Sequence, residues 1–492
     1  RAPAMNHEAK PIPQPRPPRV VIIGAGMSGM VMGIKLLAAG NRNFCIYEKA
    51  ERVGGTWREN TYPNVACDVP AQSYAYSFDP NPDWNFRFGR GEEIQRYFER
   101  CERKYGLTPF IRFNTPIASA RWENGQWQIR TASGEEDQAD VLVSATGALH
   151  EPRYPQISGA DSFAGAAFHT ARWDHTVDIR NKRVGIIGTG STAAQIVPGI
   201  VDKAGEVKLL QRTAQWVLSV PDKKFSRRHK DRHRRLVWLA KFKHWFGLHL
   251  FHALFGSATR GNPLTLRLLN HFVKANLQTL RDPQLRRKMT PDYPPACKRL
   301  IISEDFYPAI QKDNVEVITD AIECIVPEGI KLASGRVVEL DVLVYSTGFI
   351  PYYNPVAITG ENGLTLAERM QGSPISYRTI GVPGFPNYFS LFGPYSPIGN
   401  NSIIENSEIQ ADYVMQCLQM IASGKVKSLN PKLDVALKLK DEMRKGMQGT
   451  VWTSGCQSWY LDANGDPIVY PFGIAHFSRE MRTPRLEEFE LG

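Results

Sequence analysis

The chain has 492 residues, of which 22 % are charged and 42 % are hydrophobic. This composition excludes wholesale disorder, and the length predicts more than one domain, each large enough to bury its own core. The chain contains no run of about 18 apolar residues that could span a membrane, and its N-terminus lacks a secretory pattern. We therefore expect a cytoplasmic protein. The seven cysteines form no CxxC pair and the histidines lack the spacing of metal ligands, so we expect no metal site.

The net charge of +11 is concentrated in one segment. Between Asp222 and Lys243 there are ten Lys and Arg residues and two Asp, a local charge of +8 that leaves +3 for the rest of the chain. Nucleic-acid-binding proteins usually spread basic and aromatic residues over a recognition face, and the chain has no motif of that kind. We therefore expect no nucleic-acid partner.

The first glycine-rich turn has the pattern of a dinucleotide-binding unit. A short β-branched run, Arg19–Gly24, leads into Gly-Ala-Gly-Met-Ser-Gly, and a helical pattern and a second strand follow. An acid stands 19 residues after the third glycine, at the end of the second strand. The glycines permit a tight turn, close approach of a pyrophosphate and close packing of helix on strand, and the acid binds a ribose hydroxyl. The candidate residues are Gly24, Gly26, Ser28, Gly29 and Glu48.

A second turn of the same kind begins 164 residues later. The run Arg183–Gly188 leads into Gly-Thr-Gly-Ser-Thr-Ala, a helical pattern and a strand, Val207–Gln211. This strand is followed by Arg212 and not by an acid, and a cation in this position accommodates a 2′-phosphate. The second unit is therefore predicted to prefer NADP over NAD, through Gly188, Thr189, Gly190, Ser191, Thr192, Ala193, Arg212 and Thr213.

Both units also end alike. Asp140–Gly147 reads DVLVSATG and Asp341–Gly348 reads DVLVYSTG, and each follows a predicted meander of short strands, around 117–131 and 315–333. A unit with Glu and a unit with Arg indicate FAD in the first and NADPH in the second, with hydride passing from nicotinamide to flavin. The predicted fold class is α/β, with two Rossmann-like dinucleotide-binding domains.

The segment between the two units carries a more specific pattern. Phe163, Gly165, His169 and Trp173, followed by Asp174, match FxGxxxHxxxW. This pattern resembles the fingerprint of the type I Baeyer–Villiger monooxygenases, which are class B flavoprotein monooxygenases. The related N- and S-oxidising flavin monooxygenases carry a similar stretch that usually ends in Phe or Tyr, so Trp173 favours the ketone-oxidising branch.

Further segments resemble the same family along nearly the whole chain. Gly54–Trp57, with Tyr62 and the pair Cys67-Asp68, is similar to its flavin-covering loop, and 294–299 is similar to the segment with its active-site arginine. Trp452 and 455–460 resemble a stretch that lines its pocket. The chain departs from the family at three positions, where the family often has Trp, Gly and Gly: Leu149, Asn64 and Ala296. The resemblance adds candidate cofactor-binding residues at Lys49, Gly55, Thr56, Trp57, Asp68, Tyr74, Ile117, His169, Trp173, Gln195, Lys298, Arg299, Ile403 and Trp459.

The resemblance also implies the chemistry. In the family, oxygen adds to the reduced flavin to give a C4a-peroxyflavin that oxidises a ketone to an ester or lactone, so a small-molecule ketone and O2 are the expected substrates. Negative charge on the reacting oxygens needs a fixed cation in a dry pocket. The resemblance assigns this catalytic role to Arg299, oriented by Asp68. It also implies that Lys298 and Arg212 hold the 2′-phosphate, with Thr213 hydrogen-bonded to it.

The predicted architecture has an FAD-binding domain in two parts, 1–150 and 351–492, and an inserted NADP-binding domain, 151–350. We expect 380–397 to return to the first domain and to lead into its closing helix, from 401 to about 423. A basic, aromatic helical insert at 221–290 resembles the family's small subdomain at the substrate entrance. Its segment 223–255 is predicted either to be a solvated helical face or to make a weak contact with an anionic membrane surface.

Three other functions stay open at this point. An N- or S-oxidising flavin monooxygenase would share both nucleotide-binding units. A flavin reductase that passes electrons to a partner would consume NADPH whatever ketone is offered. A non-enzymatic nucleotide sensor would leave the covering loop and the Arg299 segment without a task.

Overall fold

The computed structural model describes residues 17–398, 401–455 and 460–492. Two five-stranded parallel sheets form its centre. The strands of the first sheet, in spatial order, are Tyr388–Ser390, Val141–Ser144, Val20–Ile23, Phe44–Tyr47 and Ile111–Arg112. Those of the second sheet are Ala166–His169, Val342–Tyr345, Arg183–Ile187, Glu206–Leu210 and Val315–Ile318.

Four strands follow the same order in both sheets, which confirms the predicted α/β class with two Rossmann-like units. In each sheet the strand before the glycine-rich turn is central, the next two strands of this set lie on one side of it, and the fourth lies on the other. The edge strand beyond the fourth comes last in the first sheet and precedes the others in the second. Open parallel sheets bind ligands where the strand order reverses, beyond the carboxyl ends of the strands. Both glycine-rich turns lie at such a point.

The strands are apolar because both faces of each sheet are covered. Val20, Val21 and Ile22 are fully buried, as are Val184 and Ile186 of the second unit. Parallel strands buried on both faces read as continuous β-branched runs and not as alternating ones. Because of this burial, both central strands could be recognised in the sequence as continuous β-branched runs.

The chain returns to the first sheet after the second is complete. Tyr388–Ser390 pairs in parallel with Val141–Ser144, and the helix Ile403–Ala422 packs on the helix Met27–Ala38. The hydroxyls of Ser28 and Ser407 are 2.8 Å apart across this helix pair. The first unit is therefore discontinuous in sequence, and the domain boundaries themselves stay a prediction.

One predicted element is wrong. Val315–Ile318, expected in the second meander, pairs in parallel with Glu206–Leu210 as the edge of the second sheet. A short apolar run has the same pattern in an edge strand and in a meander, so periodicity could not separate the two. The meander beyond the first unit has the strands Ala357–Thr359, Ile117–Glu123, Gln126–Thr131 and Glu136–Ala139, and that of the second has Ile322–Val326, Gly329–Leu332 and Val337–Glu339.

Helices cover the sheets and build the insert. The insert contains Arg227–Arg235, Val237–Phe251, a π-helical turn His252–Gly256, Ser257–Thr259, Pro263–Leu277 and Pro283–Lys288. Elsewhere the helices are Met27–Ala38, Thr56–Glu59, Gly91–Lys104, Ser191–Ile200, Phe306–Ile310, Leu366–Met370, Ile403–Ala422, Leu433–Gly446 and Ile474–Glu480. Among the described residues, no helix has both the length and the apolar character needed to cross a membrane.

Four short strand pairs complete the fold. They join loops that approach the carboxyl edges of the two sheets or close the chain. The pairs are Ala66–Pro70 with Phe88–Arg90, Glu151–Pro152 with Phe349–Ile350, Val217–Leu218 with Ile301–Ile302, and Leu429–Pro431 with Phe489–Leu491.

The first glycine of each turn is required by the protein itself. Gly24 and Gly188 have φ of 103° and 110°, values that L side chains rarely adopt. A Cβ at Gly24 would lie 2.6 Å from the carbonyl oxygen of Ala145, and one at Gly188 would lie 2.3 Å from that of Ser346. Both clashes are with the residue that directly follows the neighbouring parallel strand, and the backbone N–H of that residue is hydrogen-bonded to the central strand, at 2.8 Å for Ala145 and 2.9 Å for Ser346.

The second glycine of each turn is not required by the protein. Gly26 and Gly190 precede their helices with φ of −74° and −72°, which any residue can adopt. A Cβ at Gly26 would lie 3.7 Å from the Cα of Gly55, and one at Gly190 would meet no atom within 4 Å of the described chain. Both helix N-termini therefore face open space, where a phosphate can approach the backbone amides.

These two glycines separate folding from nucleotide binding. We expect Gly26→Ala and Gly190→Ala to fold as the wild type does, because the first methyl group makes only an ordinary van der Waals contact with Gly55 and the second meets no described atom within 4 Å. Gly26→Ala should lose bound FAD, and Gly190→Ala should keep it but raise the KM for NADPH by about tenfold, the equivalent of about 1.4 kcal/mol. Flavin content, thermal unfolding and NADPH-dependent flavin reduction measure these effects. Lys438→Ala, at an exposed position of the helix Leu433–Gly446, is the control. Normal FAD content and KM in both variants would contradict this role of the turns.

Candidate active site

An ion pair joins the two units at their carboxyl edges. Asp68 lies in the strand Ala66–Pro70 beyond the first sheet, and Arg299 precedes the strand Ile301–Ile302 of the second unit. Arg299 donates from Nε and Nη2 to Oδ2 of Asp68, at 3.0 and 2.5 Å. The Asp68 carboxylate raises the pKa of the Arg299 guanidinium above its ordinary value. The resemblance-based pairing of these two residues, 231 positions apart, is therefore a contact in the structure.

Arg299 is the accessible member of the pair. Its side chain is 45 % exposed, whereas that of Asp68 is 15 % exposed. Because the carboxylate engages Nε and Nη2, Nη1 is the nitrogen left for a further acceptor. The site therefore presents a permanent cation whose position is fixed by a less accessible acid.

The second unit anchors the loop before Arg299. Ile301 donates its backbone N–H to the carbonyl of Trp216 at 3.1 Å, and the indole Nε1 of Trp216 donates to the carbonyl of Tyr293 at 2.7 Å. Ala296, within this loop, has φ of 68° and is buried. A left-handed alanine costs roughly 1–2 kcal/mol. This conformation gives a physical reason why the family often has glycine here.

The segment before Asp68 is held by the second unit as well. The side chain of Gln195, on the helix Ser191–Ile200, accepts from the Tyr62 hydroxyl at 3.0 Å and from the backbone N–H of Ala66 at 3.2 Å. Its amide nitrogen donates to the carbonyl of Ala66 at 3.0 Å. Asn64, the other position where the family often has glycine, has φ of 64° and donates to the carbonyl of Gln195 at 3.2 Å. Gln195 thus fixes the covering loop, and its expected cofactor contact stays a prediction.

Buried tyrosines surround the ion pair. Burial raises the pKa of Tyr62 and of Tyr460 to about 12, and both phenols lie close enough to Asp68 and Arg299 to feel their charges. Neutral phenols therefore face this region over the whole physiological pH range. Tyr460 was noted in the sequence as a bulky residue of a pocket-lining stretch, but nothing in its local pattern placed it beside Arg299.

In the first unit, Glu48 is buried, and both of its carboxylate oxygens accept hydrogen bonds from the chain. Its Oε2 accepts from the backbone N–H of Ala25 at 2.8 Å, and its Oε1 accepts from Nη1 of Arg58 at 3.0 Å. The acid therefore fixes the glycine turn while remaining at the strand end where a ribose would bind. Arg58 was missed because its pairing with Glu48 depends on the fold of the covering loop and on no local motif.

The covering loop closes over the first glycine turn. Gly55 has φ of 53°, and a Cβ there would lie 3.2 Å from the Cα of Gly26. Thr56 begins a short helix, and the indole Nε1 of Trp57 donates to the Tyr74 hydroxyl at 3.1 Å. The backbone at Gly55 therefore approaches the backbone at Gly26, beside the place where a nucleotide would lie against the turn.

Three other predicted residues of the first unit lie at its periphery or in its core. Lys49 forms an ion pair with Glu59 at 3.0 Å. Ile117 is buried between the first sheet and its meander, and Ile403 is the first residue of the closing helix. Trp459, which the resemblance added, lies outside the described residues.

A cleft of about 890 Å³ lies at the second glycine turn. Thr189 donates from its hydroxyl to the carbonyl of Thr213 at 2.8 Å, which ties the turn to the end of the next strand. Ser191, Thr192 and the buried Ala193 form the first turn of the helix. The predicted residues that line the cleft are Gly188, Thr189, Gly190, Arg212, Thr213 and Lys298, and the sequence did not single out Arg153 and Thr347, which line it too.

The cleft is electropositive. Lys298 lies with its Nζ 4.5 Å from the centre of the Tyr293 ring. Burial lowers the pKa of Lys298, Asp292 acts in the opposite direction, and the nearby Arg212 lowers the pKa as well. Two cations that repel each other across a cleft are ready to share a dianionic group such as a 2′-phosphate.

The fingerprint residues lie where the chain crosses between the units. His169 is fully buried, and its Nδ1 accepts from the backbone N–H of Ala171 at 3.1 Å. Its ring packs against Tyr154 and Phe349, one from each connecting segment. Burial lowers the pKa of His169 to about 4, so the ring is neutral at pH 7. Trp173 packs edge-on against Phe168 at 5.1 Å between ring centres. These contacts brace the connection, and the expected cofactor contacts of both residues stay predictions.

The comparisons with known proteins identify the family to which the chain is similar. The family model of flavin-binding monooxygenase-like proteins matches residues 17–240. A Baeyer–Villiger monooxygenase of Streptomyces coelicolor is 38 % identical over 96 % of this chain and 92 % of its own length. An uncharacterized monooxygenase of Mycobacterium tuberculosis is 43 % identical over 97 % of this chain and 96 % of its own.

Solved structures give the same result. The crystal structure of OTEMO in complex with FAD and NADP superimposes with a TM-score of 0.87, at 25 % identity, over 96 % of this chain and 99 % of that one. The two sheets, the covering loop and the Asp68–Arg299 pair are thus features of a chain similar to such enzymes along nearly its whole length. The chain belongs to the Baeyer–Villiger monooxygenases, within the family of flavin-binding monooxygenase-like proteins.

Proposed function

We propose that the protein is an FAD-containing monooxygenase that uses NADPH and O2 to oxidise ketones to esters or lactones. The observation that carries this proposal is the accessible Arg299 cation, held by Asp68 between two dinucleotide-binding turns. A flavin reductase needs two nucleotide sites but has no use for a fixed cation beside them. The cytoplasmic location remains a prediction from the sequence.

The first unit fits FAD. The open space before the Met27–Ala38 helix, with Gly26 at its start, suits a pyrophosphate, and the buried Glu48 suits a ribose. Gly55 and Trp57 would cover the bound group from the other side. When bound, the flavin accepts hydride from NADPH and activates O2, which supplies the redox chemistry.

The second unit fits NADPH. Gly190 leaves the N-terminus of the Ser191–Ile200 helix open to a pyrophosphate. Arg212 and Lys298 line the same cleft and would hold the 2′-phosphate that distinguishes NADPH from NADH. Thr213 lies beside them, with its hydroxyl available to the phosphate and its carbonyl bound to Thr189.

Arg299 supplies the electrostatic part of the reaction. Insertion of oxygen beside a carbonyl develops negative charge on oxygen atoms, and a fixed cation in a site shielded from water stabilises that charge. The guanidinium stays charged at any working pH, and Asp68 raises its pKa further. Asp68 acts through Arg299, as a positioning residue that holds the guanidinium plane by two hydrogen bonds.

The cofactor preference of the cleft is testable with two substitutions. We expect Arg212→Ala and Lys298→Ala each to lower kcat/KM for NADPH by about tenfold or more, because each removes a charge-assisted hydrogen bond. The values for NADH should change little, since NADH has no 2′-phosphate. Stopped-flow flavin reduction with both nucleotides measures the ratio. Lys203→Ala, which removes an exposed cation of the same unit, should leave the ratio unchanged; equal losses for NADPH and NADH would refute the assignment.

The role of Arg299 is testable by measuring ketone oxidation and flavin reduction separately. We expect Arg299→Ala to lower the rate of ketone oxidation by about 100-fold or more, because it removes a preorganised charge from the site. Flavin reduction by NADPH should persist, with the electrons recovered as hydrogen peroxide. Asp68→Asn should show a smaller loss, because the cation remains but is less firmly placed.

The control removes an ion pair of the same type from the surface. Arg180 and Asp178 pair at 2.7 Å on the surface and do not line the cleft at the second glycine turn, so Arg180→Ala should retain full ketone oxidation. Acetophenone, cyclohexanone and 2-decanone cover aryl, cyclic and aliphatic ketones. Undiminished ester formation by Arg299→Ala with whichever ketone the wild type accepts would eliminate the proposed role.

A further inference from the structure

The helical insert holds more than half of the exposed large hydrophobic side chains of the described residues. Nineteen such side chains are exposed, and eleven of these lie between Leu236 and Phe272. Trp238 is 65 % exposed and Leu264 is 75 % exposed. Exposed apolar residues are normal when scattered singly, whereas a concentration of this kind marks an interaction surface.

Five of these side chains form one stripe on the helix Val237–Phe251. With about 3.6 residues per turn, positions 238, 242, 245, 246 and 250 share one side of a helix. The rings of Phe242 and Phe246 are 6.0 Å apart and those of Phe242 and Trp245 are 6.1 Å apart. We call this set the aromatic stripe; its members are Trp238, Phe242, Trp245, Phe246 and Leu250.

The opposite side of the same helix is already used by the protein. Ala240, His244 and Leu248 are buried, and His244 Nδ1 lies 3.0 Å from the carbonyl oxygen of Gln72. The helix therefore has a core-facing side and an apolar side that no core element needs. Helices with apolar residues on several sides usually lie in a protein core or against lipid. Within the described residues, no core element covers the exposed apolar side of this helix.

The charges around the aromatic stripe are of one sign. From Arg232 to Arg281 the sequence contains nine Lys and Arg residues and no Asp or Glu. On the helical wheel, Lys241 and Lys243 border the aromatic stripe on its two sides. An isologous contact between two copies would bring these cations together, which disfavours a dimer through this face. Trp, Phe and Leu flanked by Lys and Arg are the composition of helices that lie in the interface of an anionic bilayer.

We propose that the aromatic stripe and the cations around it dock the protein on the surface of an anionic lipid bilayer. The helix lies parallel to the membrane plane, with the aromatic stripe among the headgroups and Lys241 and Lys243 against lipid phosphates. The core-facing side of the helix contacts residues 71–73, which follow Asp68 in sequence by three to five positions. The docking surface therefore lies on the outer side of the helix that packs against the segment following Asp68. Docking itself requires neither nucleotide nor ketone.

Vesicle flotation with the full-length holoprotein tests this proposal. Vesicles of phosphatidylcholine alone are compared with vesicles of equal parts phosphatidylcholine and phosphatidylglycerol, at low and at high salt. The bound fraction should be about tenfold higher or more on the anionic vesicles, and salt should remove the difference by screening. No binding to anionic vesicles, or equal binding to both types, would overturn the proposal.

Two variants and two matched controls locate the surface. Trp238→Ser/Phe242→Ser/Phe246→Ser and Arg232→Gln/Arg235→Gln/Lys241→Gln should each lower binding to anionic vesicles by about tenfold. Leu433→Ser/Leu437→Ser, at leucines 42 and 45 % exposed, and Lys425→Gln/Lys427→Gln/Lys438→Gln should bind as the wild type does.

Retained flavin absorbance and an unchanged unfolding midpoint show that the variants fold, and flavin reduction by NADPH without vesicles shows that the cofactor sites are intact. Equal losses in variants and controls would overturn the location of the surface. Light scattering provides a further check on the occupant: a wild-type dimer that the serine variant converts to a monomer, without vesicle binding in either, would assign the face to a second copy.

Discussion

The ion pair between Asp68 and Arg299 exists only if two separately built nucleotide-binding units face each other correctly. Each partner lies on a short strand beyond the carboxyl edge of its own sheet. An ion pair with an accessible cation contributes about 0–1 kcal/mol to stability, so it does little to hold the units together. Its effect is on position: it fixes a charged group at the place where the two nucleotide sites converge.

Other contacts provide the rigidity that this placement needs. The amide of Gln195 binds both the carbonyl and the N–H of Ala66, two residues before Asp68. The rings of Tyr154 and Phe349 pack on the buried His169 where the chain passes between the units. The site therefore depends on neutral hydrogen bonds and aromatic packing for its geometry and on Arg299 for its charge.

The sequence predicted those features that have local causes. Gly24 and Gly188 were identifiable because their backbone conformation excludes side chains, and Arg212 because a strand end determines where a phosphate can lie. The contact of Asp68 with Arg299 could be expected only through family resemblance, since nothing local links positions 231 residues apart. For the same reason Arg58 beside Glu48 was missed. Val315–Ile318 was assigned to a meander because an edge strand and a meander strand share one pattern.

The insert illustrates a different limit of the sequence. Its helices were predicted, but a helix apolar on every side does not reveal which side the protein covers. The structure resolves this through His244 and Gln72, and it leaves the aromatic stripe exposed. Burial, and not composition, separated packing residues from surface residues here.

In the proposed reaction, oxygen from O2 enters a ketone at this site. The most direct measurement is turnover of the wild-type enzyme with NADPH, isotopically labelled O2 and each ketone of an aryl, cyclic and aliphatic panel, followed by mass spectrometry of the products. We expect an ester or lactone that carries one labelled oxygen atom, with one NADPH consumed for each product molecule. NADPH consumption matched by hydrogen peroxide, with no labelled ester from any ketone, would contradict it.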